Sequence, residues 1–330
     1  MENTSTIKKH FSKLGLILFL GTLLIFGVQI LAMGIFANVP VIAGDGSLSF
    51  LVTMLPMYVV AFPIVFLMLK KVPAQRDLEK KKMKPGQFFV AFLIMYAATY
   101  LCNIVGNILT AIIGIFKQNP VGNVMLQVTG NINPFVNFFV IVLCAPVMEE
   151  LLFRKFLVDR TAKYGEGVAI VFSGMTFGLF HGNLVQFTYA FVLGMFLAFL
   201  YVKTRNLVYP ILLHMLQNLM GSILGTFILK KSGYMEIAEM MQTTTDEAAL
   251  MQVIMDHAAG LIMFFLYAIC LLIVVFAGVI LFLINRKGFS CEAGEVPIEK
   301  GTRFKTVVLN AGVILYAIFW IIQIILQLLQ

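Results

Sequence analysis

This sequence predicts an all-α fold, a polytopic bundle of membrane-spanning helices, and three observations carry the prediction. Of its 330 residues 60% are hydrophobic and only 12% are charged, whereas a soluble chain is about half apolar and about a quarter charged. The apolar residues fall in long unbroken runs rather than the short alternating segments of a membrane barrel. The basic residues gather in short loops beside those runs, where they set orientation. The net charge of +8 therefore speaks for membrane topology and against a nucleic-acid partner.

The apolar runs number nine, with eight as the alternative count. The first, 14–37, follows Lys8, Lys9 and Lys13 and is longer than a signal-peptide core, so it reads as an uncleaved span. The second, 48–69, carries Pro56 and Pro63 as kinks. The most basic segment, 70–85, leads into the third span, 87–116. A polar loop with Asn119, Gly122, Asn123, Gly130, Asn131 and Asn133 precedes the fourth, 134–157. Spans five to seven are 167–181, 187–202 and 207–229.

Segment 230–257 breaks the pattern. It is polar and net acidic, with Met235, Ile237, Met240 and Met241 set among charges, and it reads as an amphipathic insertion outside the membrane. Runs 258–285 and 306–329 complete the chain. The organisation expected is three N-terminal spans with a basic loop (1–133), a four-helix core (134–229), the polar insertion (230–257) and the C-terminal spans (258–330).

Charge supports this threading. With nine spans, all 24 Lys and Arg except Lys117, Lys230 and Lys231 fall on one side. That side is the cytoplasmic one by the positive-inside rule, with the N-terminus there and the C-terminus opposite. Rows of small residues, Gly174-Gly178-Gly182 on the fifth span, Gly194-Ala198 on the sixth and Gly221-Gly225 on the seventh, predict close helix approach in lipid. The four cysteines, Cys102, Cys144, Cys270 and Cys291, show no metal-ligand spacing.

The core carries the polar residues that need explaining. Glu149, Glu150 and Arg154 lie in the fourth span, Phe177 and His181 in the fifth, and His214 and Asn218 in the seventh. Carboxylates at bilayer depth cost ~2.5–3.5 kcal/mol on insertion scales and are commonly functional. Adjacent helical residues differ by about 100° in direction, so the two glutamates take different roles. Glu150 and Arg154 stand at i,i+4 in the favourable order and pair. That leaves Glu149 without a local partner, suited to act as a general base. His181 and His214 can serve as a second base, an oxyanion donor or a metal ligand, and Asn218 can donate a hydrogen bond. The set suits water-mediated peptide hydrolysis at a site in the cytoplasmic half to the middle of the membrane, opening towards the cytoplasmic leaflet.

The spacing Glu149-Glu150-x-x-x-Arg154, Phe177-x-x-x-His181 and His214-x-x-x-Asn218 resembles the three motifs of the CPBP family of intramembrane proteases. That family includes CaaX endopeptidases and bacterial proteins of bacteriocin processing or self-immunity. The resemblance covers about 134–229, and the motifs stand in order on successive apolar runs. It implies that Glu149 is the catalytic glutamate, with His181 helping to activate water. His214 and Asn218 would form the oxyanion site, with Glu150, Arg154 and Phe177 structural or orienting. No cofactor is required by this reading. A divalent metal such as zinc, if present, would fall to Glu149, His181 and His214, though the HExxH helix is lacking. The expected partners are the lipid bilayer and a membrane-associated peptide or protein substrate in a prokaryotic cell membrane. The rival functions are a catalytically silent scaffold or bacteriocin-immunity protein, and a proton- or cation-coupled transporter. Oligomeric state is open.

Overall fold

The computed structural model describes residues 2–74, 79–122, 128–130, 132–243 and 246–329. Asn123 and Asn131 of the polar loop, and 75–78 of the basic segment, lie outside them. Eight helices are long and apolar enough to cross a membrane: α1 (Thr4–Phe36), α2 (Gly46–Lys70), α3 (Pro85–Lys117), α4 (Pro134–Tyr164), α6 (Leu184–Thr204), α7 (Val208–Lys231), α10 (Ala258–Gly288) and α11 (Ala311–Leu329). Asn3 starts α1 by accepting from the Thr6 amide, and Asp45 starts α2 through the Ser47 and Leu48 amides. The acidic insertion forms two helices, α8 (Tyr234–Thr243) and α9 (Glu247–Asp256).

The expected fifth span is the exception. It is the 15-residue helix α5 (Glu166–Phe180), about 22 Å long at 1.5 Å per residue and short of a hydrocarbon core of ~30 Å. Among the described residues the full-length spans are therefore eight, the alternative count. The chain reverses at Gly182, whose φ of 65° is open to a residue without a β-carbon, and Asn183 then caps α6 through the Gln186 amide.

The prolines expected to kink α2 do so as a π turn, Met57–Ala61, between Pro56 and Pro63. A proline cannot donate to the helical ladder, and the widened turn absorbs the lost bond.

The loops sort to two ends. At one end Lys163 bonds Glu2 at 2.7 Å, Lys203 bonds Glu166 at 2.6 Å, the Lys81 amide donates to the Thr204 carbonyl at 2.7 Å and Val296 to Lys163 at 2.9 Å. The basic segments thus meet each other. At the opposite end Lys117 reaches the Leu328 carbonyl, Lys230 the Gly130 carbonyl, and the Thr129 and Thr226 hydroxyls lie 3.1 Å apart.

Small residues let α5 and α6 touch. A β-carbon at Gly174 would sit 2.5 Å from Met195 Cγ, one at Gly178 3.0 Å from Phe191 Cβ, and one at Gly194 2.9 Å from the Gly174 Cα. The α7 row differs: a β-carbon at Gly221 would meet nothing within 4 Å. The expected close approach there is replaced by open space. Behind α5, Tyr316 of α11 donates to the Thr176 carbonyl at 2.8 Å, and Trp320 packs on Gly182.

Candidate active site

Glu149 and Glu150 sit in a short α-helical stretch, Ala145–Glu150, between two π turns of α4, Phe138–Cys144 and Leu151–Val158. Pro146 lies in the first turn of that stretch and withholds the amide that would close the preceding turn. α7 carries a third such turn, Leu219–Gly225, directly after Asn218. The candidate residues of α4 and α7 therefore stand in or beside widened turns of the helical ladder.

The two glutamates part company as expected, and further. Glu150 is fully buried, with Oε2 2.9 Å from Arg154 Nε and Oε1 2.8 Å from His214 Nδ1. It therefore holds two groups, one on its own helix and one on α7. Glu149 is 9% exposed and stands 3.7 Å from His214 Nε2. The ring of His214 bridges the pair, one nitrogen to each carboxylate.

Arg154 is fully buried too, and its guanidinium lies 4.5 Å over the Phe177 ring. Its Nη atoms have no hydrogen-bond partner among the described residues. Such a cation depends on Glu150 and the aromatic face. Phe177 also meets both histidines edge-on, with centroids 4.8 Å from His181 and 5.6 Å from His214. His181 Nδ1 bonds the Phe177 carbonyl at 2.9 Å, leaving Nε2 for another partner. It joins the cluster through Phe177.

Asn218 also has a structural partner. Its Nδ2 donates to the Ile141 carbonyl at 2.9 Å, an acceptor in the first π turn of α4. One of its two amide hydrogens is thereby spent on tying α7 to α4. Other polar residues near the site were not singled out from sequence. The Tyr189 hydroxyl accepts from Gln186 Nε2 at 3.2 Å and lies within electrostatic reach of Glu149. Gln217 Oε1 accepts from Thr99 at 3.1 Å. The signal available was polarity inside apolar runs, shared by residues with no role.

A cavity of about 440 Å³ adjoins this group, lined by Asn183, Gln186, Tyr189, Gln217 and Asn218. It continues to Leu229 and Phe264, towards the end away from the basic loops. Among the described residues this cavity leads away from the basic loops rather than towards them. Among the described residues no group of three or more His, Cys, Asp or Glu side chains is placed to hold a metal ion. His214 Nδ1 is bonded to Glu150, which leaves Nε2 facing Glu149 at 3.7 Å.

The type II CAAX prenyl endopeptidase Rce1-like family matches residues 131–220, the stretch that holds all three motifs. Over that stretch the chain is similar to the CPBP family of intramembrane proteases. It is 25% identical over 173 residues to the membrane-embedded CAAX protease MroQ of Staphylococcus aureus (strain USA300), covering 50% of this chain and 69% of that one. It is likewise 25% identical over 166 residues to the putative membrane peptidase YdiL of Bacillus subtilis (strain 168), covering 49% and 66%. No solved structure gives a significant match.

Proposed function

We propose that this chain is an endopeptidase of a prokaryotic cell membrane in which Glu149 activates water to cleave a membrane-associated peptide or protein. One observation carries the reading. Glu149 is a buried carboxylate facing His214 at 3.7 Å, while Glu150 is occupied by Arg154 and His214.

Glu149 takes a proton from water as the water oxygen bonds to the scissile carbonyl carbon, and the carbonyl π pair moves to oxygen. His181 Nε2 accepts from the same water and orients it. The oxyanion is held by the remaining amide hydrogen of Asn218 and by a hydrogen on His214 Nε2. Collapse of the intermediate breaks the C–N bond, and the proton on Glu149 passes to the leaving nitrogen. Glu150, Arg154 and Phe177 set ring positions. No step runs through a metal. The basic end faces the cytoplasm, with the C-terminus on the other side.

The test is to incubate the purified protein and Glu149→Gln with a membrane-peptide library and read cleavage by mass spectrometry. Cleavage by the parent alone is expected. Equal cleavage by the variant overturns the mechanism, and no cleavage by either overturns the activity. Chelation with zinc add-back in the same assay should leave the rate unchanged.

A further inference from the structure

The cavity beside Asn218 starts at Tyr96 and Gln217, in the middle of the bundle, and runs to Leu229 and Phe264. From Gln217 to Leu229 is about 18 Å along α7. At its inner end stand Asn218 and Tyr189, and Asn218 lies one turn along α7 from His214, which faces Glu149 at 3.7 Å. Towards the basic end, described chain segments tie to one another beside the site. Arg160 Nε donates to the Leu69 carbonyl at 2.8 Å, the 81–83 strand of chain binds Thr204 and Tyr209, and Arg154 below is fully buried.

Polar groups at this depth are costly unless something pairs with them. The Thr99 hydroxyl and the Gln217 amide meet at 3.1 Å, and both residues line the cavity. Asn183 binds Gln186, which binds Tyr189, in a row along the opposite wall. An extended peptide supplies carbonyl and amide groups at the spacing of its backbone, and such walls can pair with them. Gly221 adds room: a β-carbon there meets nothing within 4 Å.

We infer that the substrate peptide reaches Glu149 through this cavity, from the end opposite the basic loops, and that Gln217 grips its backbone. This rests on the endopeptidase reading above. The route can be read without cleavage. In a background with Cys102, Cys144, Cys270 and Cys291 replaced, Gly221→Cys and, separately, Asn103→Cys are placed in vesicles of known orientation and treated with a bulky membrane-impermeant maleimide. Labelling from the side of Lys117 and Lys230 alone is expected, with cleavage falling at least ~10-fold on labelling. Labelling from the basic side overturns the route. So does labelling by a lipid-soluble maleimide only, or a labelled protein that cleaves at the unlabelled rate.

Gln217→Leu is expected to raise KM ~10-fold with kcat within about twofold, and an unchanged KM removes Gln217 from the proposal. A parent protein that cleaves nothing sinks the peptidase reading, while the side of labelling still decides the route.

Discussion

Glu150 Oε1 and His214 Nδ1 lie 2.8 Å apart, and this bond joins α4 to α7 across the centre of the site. The same carboxylate meets Arg154 at 2.9 Å on its second oxygen. A single acid therefore sets the ring of one residue and compensates the charge of another.

Removing it should be costly twice over. Glu150→Ala leaves the Arg154 cation buried and uncompensated, and a destabilisation of about 3–5 kcal/mol is expected. The double variant Glu150→Gln with Arg154→Met should lose less than the two single changes summed, because no lone charge remains. Thermal unfolding in detergent measures both.

His214 should show its role in rate rather than in affinity. His214→Gln is expected to lower kcat by ~10²-fold or more with KM little changed. Steady-state kinetics on a cleaved peptide reads the split, and a change confined to KM would count against the assignment.

Two glycines make opposite predictions. At Gly194 a β-carbon would sit 2.9 Å from both the Gly174 Cα and Phe177 Cδ1, so Gly194→Leu should destabilise by about 1–3 kcal/mol or more through overpacking. At Gly221, where space is open, Gly221→Ala should stay within about 0.5 kcal/mol of the parent. Paired melting curves make the comparison.

The N-terminus offers a pH test. Glu2 accepts from Lys163 at 2.7 Å and from Tyr164 at 2.9 Å, and the Lys163 bond foremost holds its carboxyl below the usual carboxylate range. A carboxyl lowered on folding contributes stability above its unfolded value of ~4.3, and the contribution is lost as pH falls through the folded value. The Tm advantage of the parent over Glu2→Gln should thus be present near pH ~7 and gone by pH ~3.

Sequence made the core legible because its signal is local. Glu149, Glu150 and Arg154 share one apolar run, and i,i+4 spacing alone pairs Glu150 with Arg154, as the structure does. The bond from Glu150 to His214 crosses 64 residues, and no spacing rule reaches that far. Asn218 was read as a free donor because its acceptor, the Ile141 carbonyl, depends on where a π turn widens α4. The glycine row of α7 reads like that of α5, yet one faces space and the other a neighbouring helix. What distinguishes them is the packing of α3 and α10, which periodicity does not encode. The fifth run lost its status as a full span to a reversal at Gly182, one residue with positive φ.

That short helix bears on how the protein enters its bilayer. α5 is about 22 Å long, too brief to halt or carry translocation as an independent unit. Its start and the end of α6 are fastened together by Glu166 and Lys203, 2.6 Å apart, and the glycine seam joins the rest. The two helices therefore insert as one hairpin.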